Sequence, residues 1–307
     1  MGLGPKRYIF FSILLSLVFV CLTIVCITVY SIFNVPTYSI PPKIIWTYWN
    51  DQDIPPLVQT ILHHRANILT GWNQIILSDE TLKEYVNPPK EYYELGQTHK
   101  SDWLRLALLQ KYGGCWMDAS IIVNSESALN EIYNKSIQQK SEFTGFYTPI
   151  GLLHNDTSTF IESWCLLAPK GSQVIGTWLD EYEQACRIGF PEYRRKVTKE
   201  NEISTHIYNP ETEDVYLTVY AACQMAIQKR LRKQANIILY NSYDSMYKLH
   251  HQCWDAEKND YDHDCIVLRL HTDPSVKQIP FIKTTGHTRK FLEKVDISSY
   301  FIDSRIQ

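Results

Sequence analysis

The sequence predicts an α/β domain with a mainly parallel central sheet flanked by helices, tethered by an N-terminal transmembrane helix. Three observations carry that prediction. From Lys43 to Val123, short β-branched and aromatic runs alternate with amphipathic, helix-forming stretches, the pattern of successive βα units. Two of those runs, Cys115-Trp-Met117 and Ile121-Ile-Val123, are apolar throughout, as strands covered on both faces are. The 26 residues from Tyr8 to Phe33 carry no charge, and a helix rising ~1.5 Å per residue over that length crosses a ~30 Å hydrocarbon core with some tilt.

The N-terminal elements follow from charge and length. Lys6 and Arg7 precede the apolar run and Lys43 is the next cation after it, so the positive-inside bias makes residues 1–7 a cytosolic tail. Residues 8–33 are then an uncleaved signal-anchor, 34–40 a short stem and 41–307 a lumenal domain. A cleaved signal peptide would have a shorter apolar region of about 7–15 residues and a small-x-small cleavage site. This is the layout of a single-pass type II membrane protein, with the Golgi the expected compartment in a eukaryotic host. Asn134 and Asn155 head two sequons, candidate glycosylation sites on that side of the membrane. Of eight cysteines, Cys21 and Cys26 fall in the anchor. Cys253 and Cys265 flank a polar loop and are the expected disulfide pair in an oxidising space. With 30 basic against 33 acidic side chains, the chain lacks the basic excess of a nucleic-acid binder.

The lumenal elements are read in order. Lys43 to Trp49 is a strand, and Pro55-Pro56 opens a helix through Leu57, Ile61, Leu62 and Ile68. Trp72 to Leu77 is a second strand, followed by a short helix toward Tyr85 capped by Ser78 or Asp79. Ser101 or Asp102 starts a helix, Trp103 to Lys111, that Gly113-Gly114 stops. Further on, helices are expected near Gln173 to Cys186 and Val215 to Arg232, and strands near Asn236 to Tyr240 and Cys265 to Leu270. Ligands of α/β sheets bind beyond the carboxyl ends of the strands, which directs attention to the end of the Cys115 strand.

That strand stops at Asp118. An unpaired carboxylate at the end of a buried strand costs several kcal/mol, so Asp118 needs a metal, a hydroxyl or a cation. The bland alternative is a turn carboxylate bonding a nearby amide. Asp102 and Arg105, three apart on the preceding helix, project from one face of it.

On Ile40-Pro-Pro-Lys-Ile-Ile-Trp46 with Tyr48-Trp49, Ser101-Asp-x-x-Arg105 and Tyr112-Gly-Gly-x-Trp-x-Asp-Ala-Ser120, the chain resembles the glycosyltransferases of family thirty-two. Within these it is most similar to the capsular polysaccharide synthesis protein branch. Weaker echoes are Trp164-Cys-Leu-Leu-Ala-Pro-Lys-Gly171 and Pro280-Phe-Ile-Lys283. The resemblance implies a GT-A type nucleotide-sugar-binding fold, a nucleotide-sugar donor, a divalent cation (Mn or Mg) and transfer with retention. The acceptor would be a glycan or a lipid-linked sugar. Asp118 then matches the first carboxylate of an Asp-x-Asp motif, touching donor and metal, and Asp102 and Arg105 match donor-site residues. Ser120 departs from the second Asp that the family at large carries there, although the capsular branch often has Asp-Ala-Ser or Asp-Ala-Thr. A hydroxyl brings no charge, so a ligand must come from elsewhere; His271, after the predicted Cys265 strand, is one candidate and His287 another. Trp46 and Tyr48 are expected to stack on the donor base, while Trp49, Trp103 and Trp116 read as core.

A membrane-tethered binding protein on a degenerate transferase fold stays open beside the enzyme, with Ser120 as its first sign. Metal-dependent hydrolysis would need a cluster of His or carboxylate ligands, and the sequence shows none.

Overall fold

The computed structural model describes residues 16, 18–23, 25, 38–149, 160–201, 215–231, 235–258, 260–295 and 297–301. The chain divides into two units, Met1–Tyr38 and Ser39–Gln307. In the first, the described residues between Ser16 and Val25 are helical. Among the described residues no helix is long and apolar enough to cross a membrane. Most of the predicted anchor, residues 8–33, lies outside the described residues, as does Asn155.

The second unit is built on a six-stranded sheet. Its first strand β1 (Ile44–Tyr48) leads through α1 (Pro56–Ile68) to β2 (Asn73–Leu77), and α2 (Gln97–Tyr112) leads to β3 (Gly114–Met117). After β4 (Ile121–Val123) and α3 (Glu126–Gln138), strands β5 (Phe143–Thr148), β6 (Phe160–Ala168) and β7 (Ile237–Asn241) complete the set. The spatial order is β2-β1-β3-β6-β5-β7. β1 is parallel to β2 and β3, and β5 to β7, whereas β6 runs antiparallel to both its neighbours. The sheet is therefore mixed but mostly parallel, as the alternating pattern predicts.

Side chains alternate between two covered faces. Trp46, Trp116 and Leu166 join one core with Leu104 and Leu108 of α2 and Trp178 of α4 (Gln173–Ile188). Ile45, Cys115, Met117 and Leu167 join the opposite core with Leu129 and Tyr133 of α3. Burial on both faces explains why these strands are apolar throughout. The turn between α2 and β3 needs its two glycines: Gly113 and Gly114 have φ of 72° and 101°. A Cβ on Gly114 would lie 2.8 Å from the Ile44 carbonyl oxygen, so the close pairing of β1 with β3 depends on its absence.

β4 leaves the main sheet. It pairs antiparallel with β10 (Phe281–Lys283), setting Lys283 opposite Ile121. A third core lies beneath that ribbon, where Ile122 and Ile282 pack with Leu249, Ile266, Leu270 and Val276. Beside it, a disulfide joins Cys253 to Cys265, and β8 (Trp254–Asp255) and β9 (Asp260–Tyr261) form a small hairpin between the two cysteines.

Two local readings are corrected. Cys265 to Leu270 is not a strand but the middle of a helix, His263–Thr272, whose cap Asp262 accepts from the Cys265 amide. Ile266 and Leu270 are its buried pair, one helical turn apart. Helix α2 begins at Gln97 after Gly96, so Ser101 and Asp102 lie in its second turn and cap nothing. Asn134 is exposed on α3 while Ser136 of its sequon is buried, so that tripeptide is a free loop only before folding.

Candidate functional site

At the carboxyl end of β3 the chain turns sharply, and the turn is fixed from several sides. The Asp118 amide donates to the Trp164 carbonyl of β6 at 2.9 Å, and the Ile121 amide donates back to the Asp118 carbonyl at 3.2 Å. Buried Arg65 of α1 also donates to that carbonyl at 3.0 Å, and to Thr47 Oγ1 and Gln74 Oε1, each at 2.6 Å. This one guanidinium thus ties β1, β2 and the Asp118 turn together.

The Asp118 carboxylate faces a cavity of about 470 Å³, the size of a small-ligand site. Trp116 Nε1 donates to its Oδ1 at 2.9 Å. Lys283 Nζ donates to its Oδ2 and to Ser120 Oγ, both at 2.9 Å. Arg105 Nη2 stands 3.6 Å from Asp118 Oδ1, while its Nη1 stands 3.0 Å from Asp102 Oδ1. The same guanidinium donates to Ser101 Oγ at 2.9 Å and to Ser163 Oγ, and lies over the Trp116 ring. Burial alone would raise the Asp118 pKa, but Lys283 and then Arg105, with the bonds from Lys283 and Trp116, hold it below the ordinary carboxylate value. Burial disfavours the Arg105 charge in the same way, and Asp102 and then Asp118 reverse this and push its pKa up. Both groups are therefore ionised.

The structure brings together most of the residues picked out from sequence. Asp118, Ser120, Asp102, Arg105 and Tyr48 all line the cavity. Tyr48 donates its hydroxyl to Asp79 at 2.6 Å, which fixes the ring in the cavity wall. Trp46 is a correction. It is 1 % exposed, donates Nε1 to the Gly113 carbonyl at 2.9 Å and packs on Tyr85 and Tyr112. It shares the Tyr48 face of β1 but sits one pleat deeper, inside the core. His271 is a second correction: it is exposed near the end of the helix that replaces the predicted strand and is not among the cavity-lining residues. His287 is likewise exposed and does not line the cavity.

Sequence reasoning missed Lys283, Arg65 and Arg289. Arg289 lines the cavity and lies over the Trp49 ring at 5.3 Å. The Pro280-Phe-Ile-Lys283 echo was a signal for Lys283, though nothing local in it places the ammonium beside Asp118.

A divalent cation at a diphosphate takes one or two carboxylates and other hard oxygens. Among the described residues no three His, Cys, Asp or Glu side chains gather as a metal site. Asp102 is engaged with Arg105, and the two oxygens that an Asp-x-Ser turn offers converge on an ammonium instead. The described donor set does not fit the expected Mn or Mg ion.

The model of the capsular polysaccharide synthesis protein family matches residues 32–184. Over that half of its length the chain belongs to this family. The family region holds Asp102, Arg105, Asp118, Ser120 and Ser163, whereas Lys283 and Arg289 come from beyond it. The O-glycosyltransferase PaGT of Phomopsis amygdali is 27 % identical over 158 residues, covering 46 % of this chain and 38 % of that protein. The chain therefore spans less than half the length of this relative. Two solved structures are similar in part. The PaToxG glycosyltransferase aligns at 13 % identity and a TM-score of 0.33 over 61 % of this chain and 86 % of its own. A glycosyltransferase involved in glycosylation of the major capsid of PBCV-1 aligns at 12 % identity and a TM-score of 0.39, over 83 % and 100 %.

Proposed function

We propose that this family member is a glycosyltransferase of GT-A type, moving a sugar from a nucleotide-sugar donor to a glycan or lipid-linked acceptor with retention of configuration. The observation that carries the reading is the ionised Asp118 at the end of β3, held between Lys283 and Arg105 in a cavity that Arg289 also lines. Such an arrangement suits a leaving group that gains negative charge. When the bond from the anomeric carbon to the diphosphate breaks, the electron pair leaves with the phosphate oxygen, and fixed cations stabilise it. The sugar then passes through an oxocarbenium-like state, beside which the Asp118 carboxylate accepts hydrogen bonds from donor hydroxyls. Retention is supported by the lack of an uncommitted carboxylate base among the described residues that line the cavity. The carboxylates among the described lining residues are Asp102 and Asp118: Asp102 is paired with Arg105, and Asp118, held below the ordinary carboxylate value by Lys283 and Arg105, is a poor proton acceptor. The acceptor hydroxyl then attacks on the face the diphosphate leaves, and its proton passes to the departing phosphate oxygen.

The proposed setting is the lumenal side of a Golgi or other secretory membrane, behind a signal-anchor over residues 8–33. The uncharged run supports the anchor, and the Cys253–Cys265 disulfide supports an oxidising compartment. A sugar-nucleotide-binding protein without turnover is the second reading, favoured by Ser120 in place of an acid. A panel of UDP- and GDP-sugars, assayed with the purified full chain with and without manganese, decides between them. The enzyme predicts hydrolysis or transfer that Asp118→Ala abolishes; binding without turnover in either protein leaves the second reading, and equal turnover in both removes Asp118 from the chemistry.

A further inference from the structure

We propose that the Lys283 ammonium does the work of the bridging divalent cation, so that this chain binds the diphosphate of its donor without metal. The inference rests on the nucleotide-sugar reading and deepens it.

Four observations converge. Lys283 Nζ lies 2.9 Å from both Asp118 Oδ2 and Ser120 Oγ, the two side-chain positions that an Asp-x-Asp motif would offer to a metal. The ammonium is placed by the backbone and not by chance rotation of a surface lysine. The pairing of β10 with β4 sets Lys283 opposite Ile121. Its amide donates to the Met246 carbonyl at 2.9 Å, and the next residue, Thr284, donates both its amide and its hydroxyl to the Ser120 carbonyl, at 3.1 and 2.8 Å. The Lys283 side chain is only 11 % exposed, so its charge is shielded from bulk water but open to the cavity it lines.

The charge also balances. Two carboxylates with a divalent cation sum to zero, and so do one carboxylate, one hydroxyl and one ammonium. Ser120 in place of a second acid is thereby explained: with a lysine as the cation, a second carboxylate would leave the pair net negative and repel a diphosphate. Arg105 and Arg289 on the cavity wall add the remaining positive charge. A divalent ion bound to the same two oxygens would have to sit against the ammonium, where like charges repel.

The test is titration calorimetry of UDP and of GDP into the purified full chain, once with excess EDTA and once with manganese. The expected result is an affinity for one of the two nucleotides that is the same in both buffers. Lys283→Ala should then weaken binding in EDTA by about 10- to 100-fold, the scale of one charge-assisted hydrogen bond. Wild-type binding that vanishes in EDTA and returns with manganese overturns the inference while leaving the nucleotide-sugar reading in place. Failure of both nucleotides to bind in either buffer overturns the two together. The wild-type comparison needs no variant, so misfolding of Lys283→Ala does not protect the proposal.

Discussion

Replacing Asp118 by Asn keeps the shape of the side chain and removes the negative charge between two cations. The amide oxygen can still accept from Trp116, but the amide nitrogen then faces the Lys283 ammonium, donor against donor. At an effective dielectric of about 20, the lost attractions are about 6 kcal/mol to Lys283 at 2.9 Å and about 5 kcal/mol to Arg105 at 3.6 Å. Desolvation of these groups offsets most of that gross figure, and breaking one side of a buried pair typically costs about 3–5 kcal/mol. Arg105 keeps Asp102 at 3.0 Å, and the Asp118 side chain is 24 % exposed, so the low end applies: about 3 kcal/mol, or a melting temperature lower by about 6–12 °C. The sign with pH follows from the direction of the shift. Because the folded Asp118 pKa is depressed, its contribution is complete above the unfolded value of about 3.9 and is lost as pH falls through the folded one. Urea unfolding of the purified full chain should therefore separate Asp118→Asn from wild type at pH 7 and bring them together in strong acid. Donor hydrolysis should fall at least about 100-fold, as when one preorganised electrostatic contact to a transition state is removed. Equal stability at pH 7, with turnover intact, would refute the view that this carboxylate organises the cations.

Three more outcomes are expected. Burial pushes the Glu162 carboxyl up to about 7 against hydrogen bonds from Thr148 and others, so the folded state holds that proton more tightly and stability falls as pH rises from about 4.5 to about 7. Glu162→Gln should match wild type near pH 4.5 and exceed it by about 3 kcal/mol at pH 8; parallel pH curves in urea titrations would contradict this. Cys253→Ser opens the 12-residue separation closed by the disulfide and should cost about 3 kcal/mol without changing which nucleotide binds, a combination that unfolding and calorimetry check directly. Trp46→Phe should lower stability by about 1–3 kcal/mol through the lost Gly113 bond and packing yet leave nucleotide affinity as it was; weaker binding at unchanged stability would return Trp46 to the donor site.

The parts of the site that sequence makes visible are those specified locally. Asp102 and Arg105 are three apart on one helix, two glycines force the turn that follows, and an apolar strand ends at a carboxylate, so their grouping needs no long-range information. Trp46 and Tyr48 show where local reasoning stops. Alternation puts both on one face of β1, but only the packing of Tyr85 and Tyr112 reveals that Trp46 is closed into the core while Tyr48 lines the cavity. The Cys265–Leu270 run contains β-branched residues and reads as strand, yet the Asp262 cap and the one-turn spacing of Ile266 and Leu270 favour helix, which carries His271 away from the cavity. Lys283 is the hardest case. It meets Asp118 across 165 positions of sequence, through a two-strand ribbon whose register no periodicity announces.

That separation has a consequence for biosynthesis. A ribosome releases the Asp118 turn early and the β10 strand very late, so an emerging polypeptide carries an acidic turn long before its neutralising lysine is available. The cavity is therefore among the last features to mature, after the Cys253–Cys265 crosslink can already have closed. A fragment ending between Asn241 and Phe281 would retain the family region and every strand of the main sheet but lack Lys283 and Arg289 of the cavity wall.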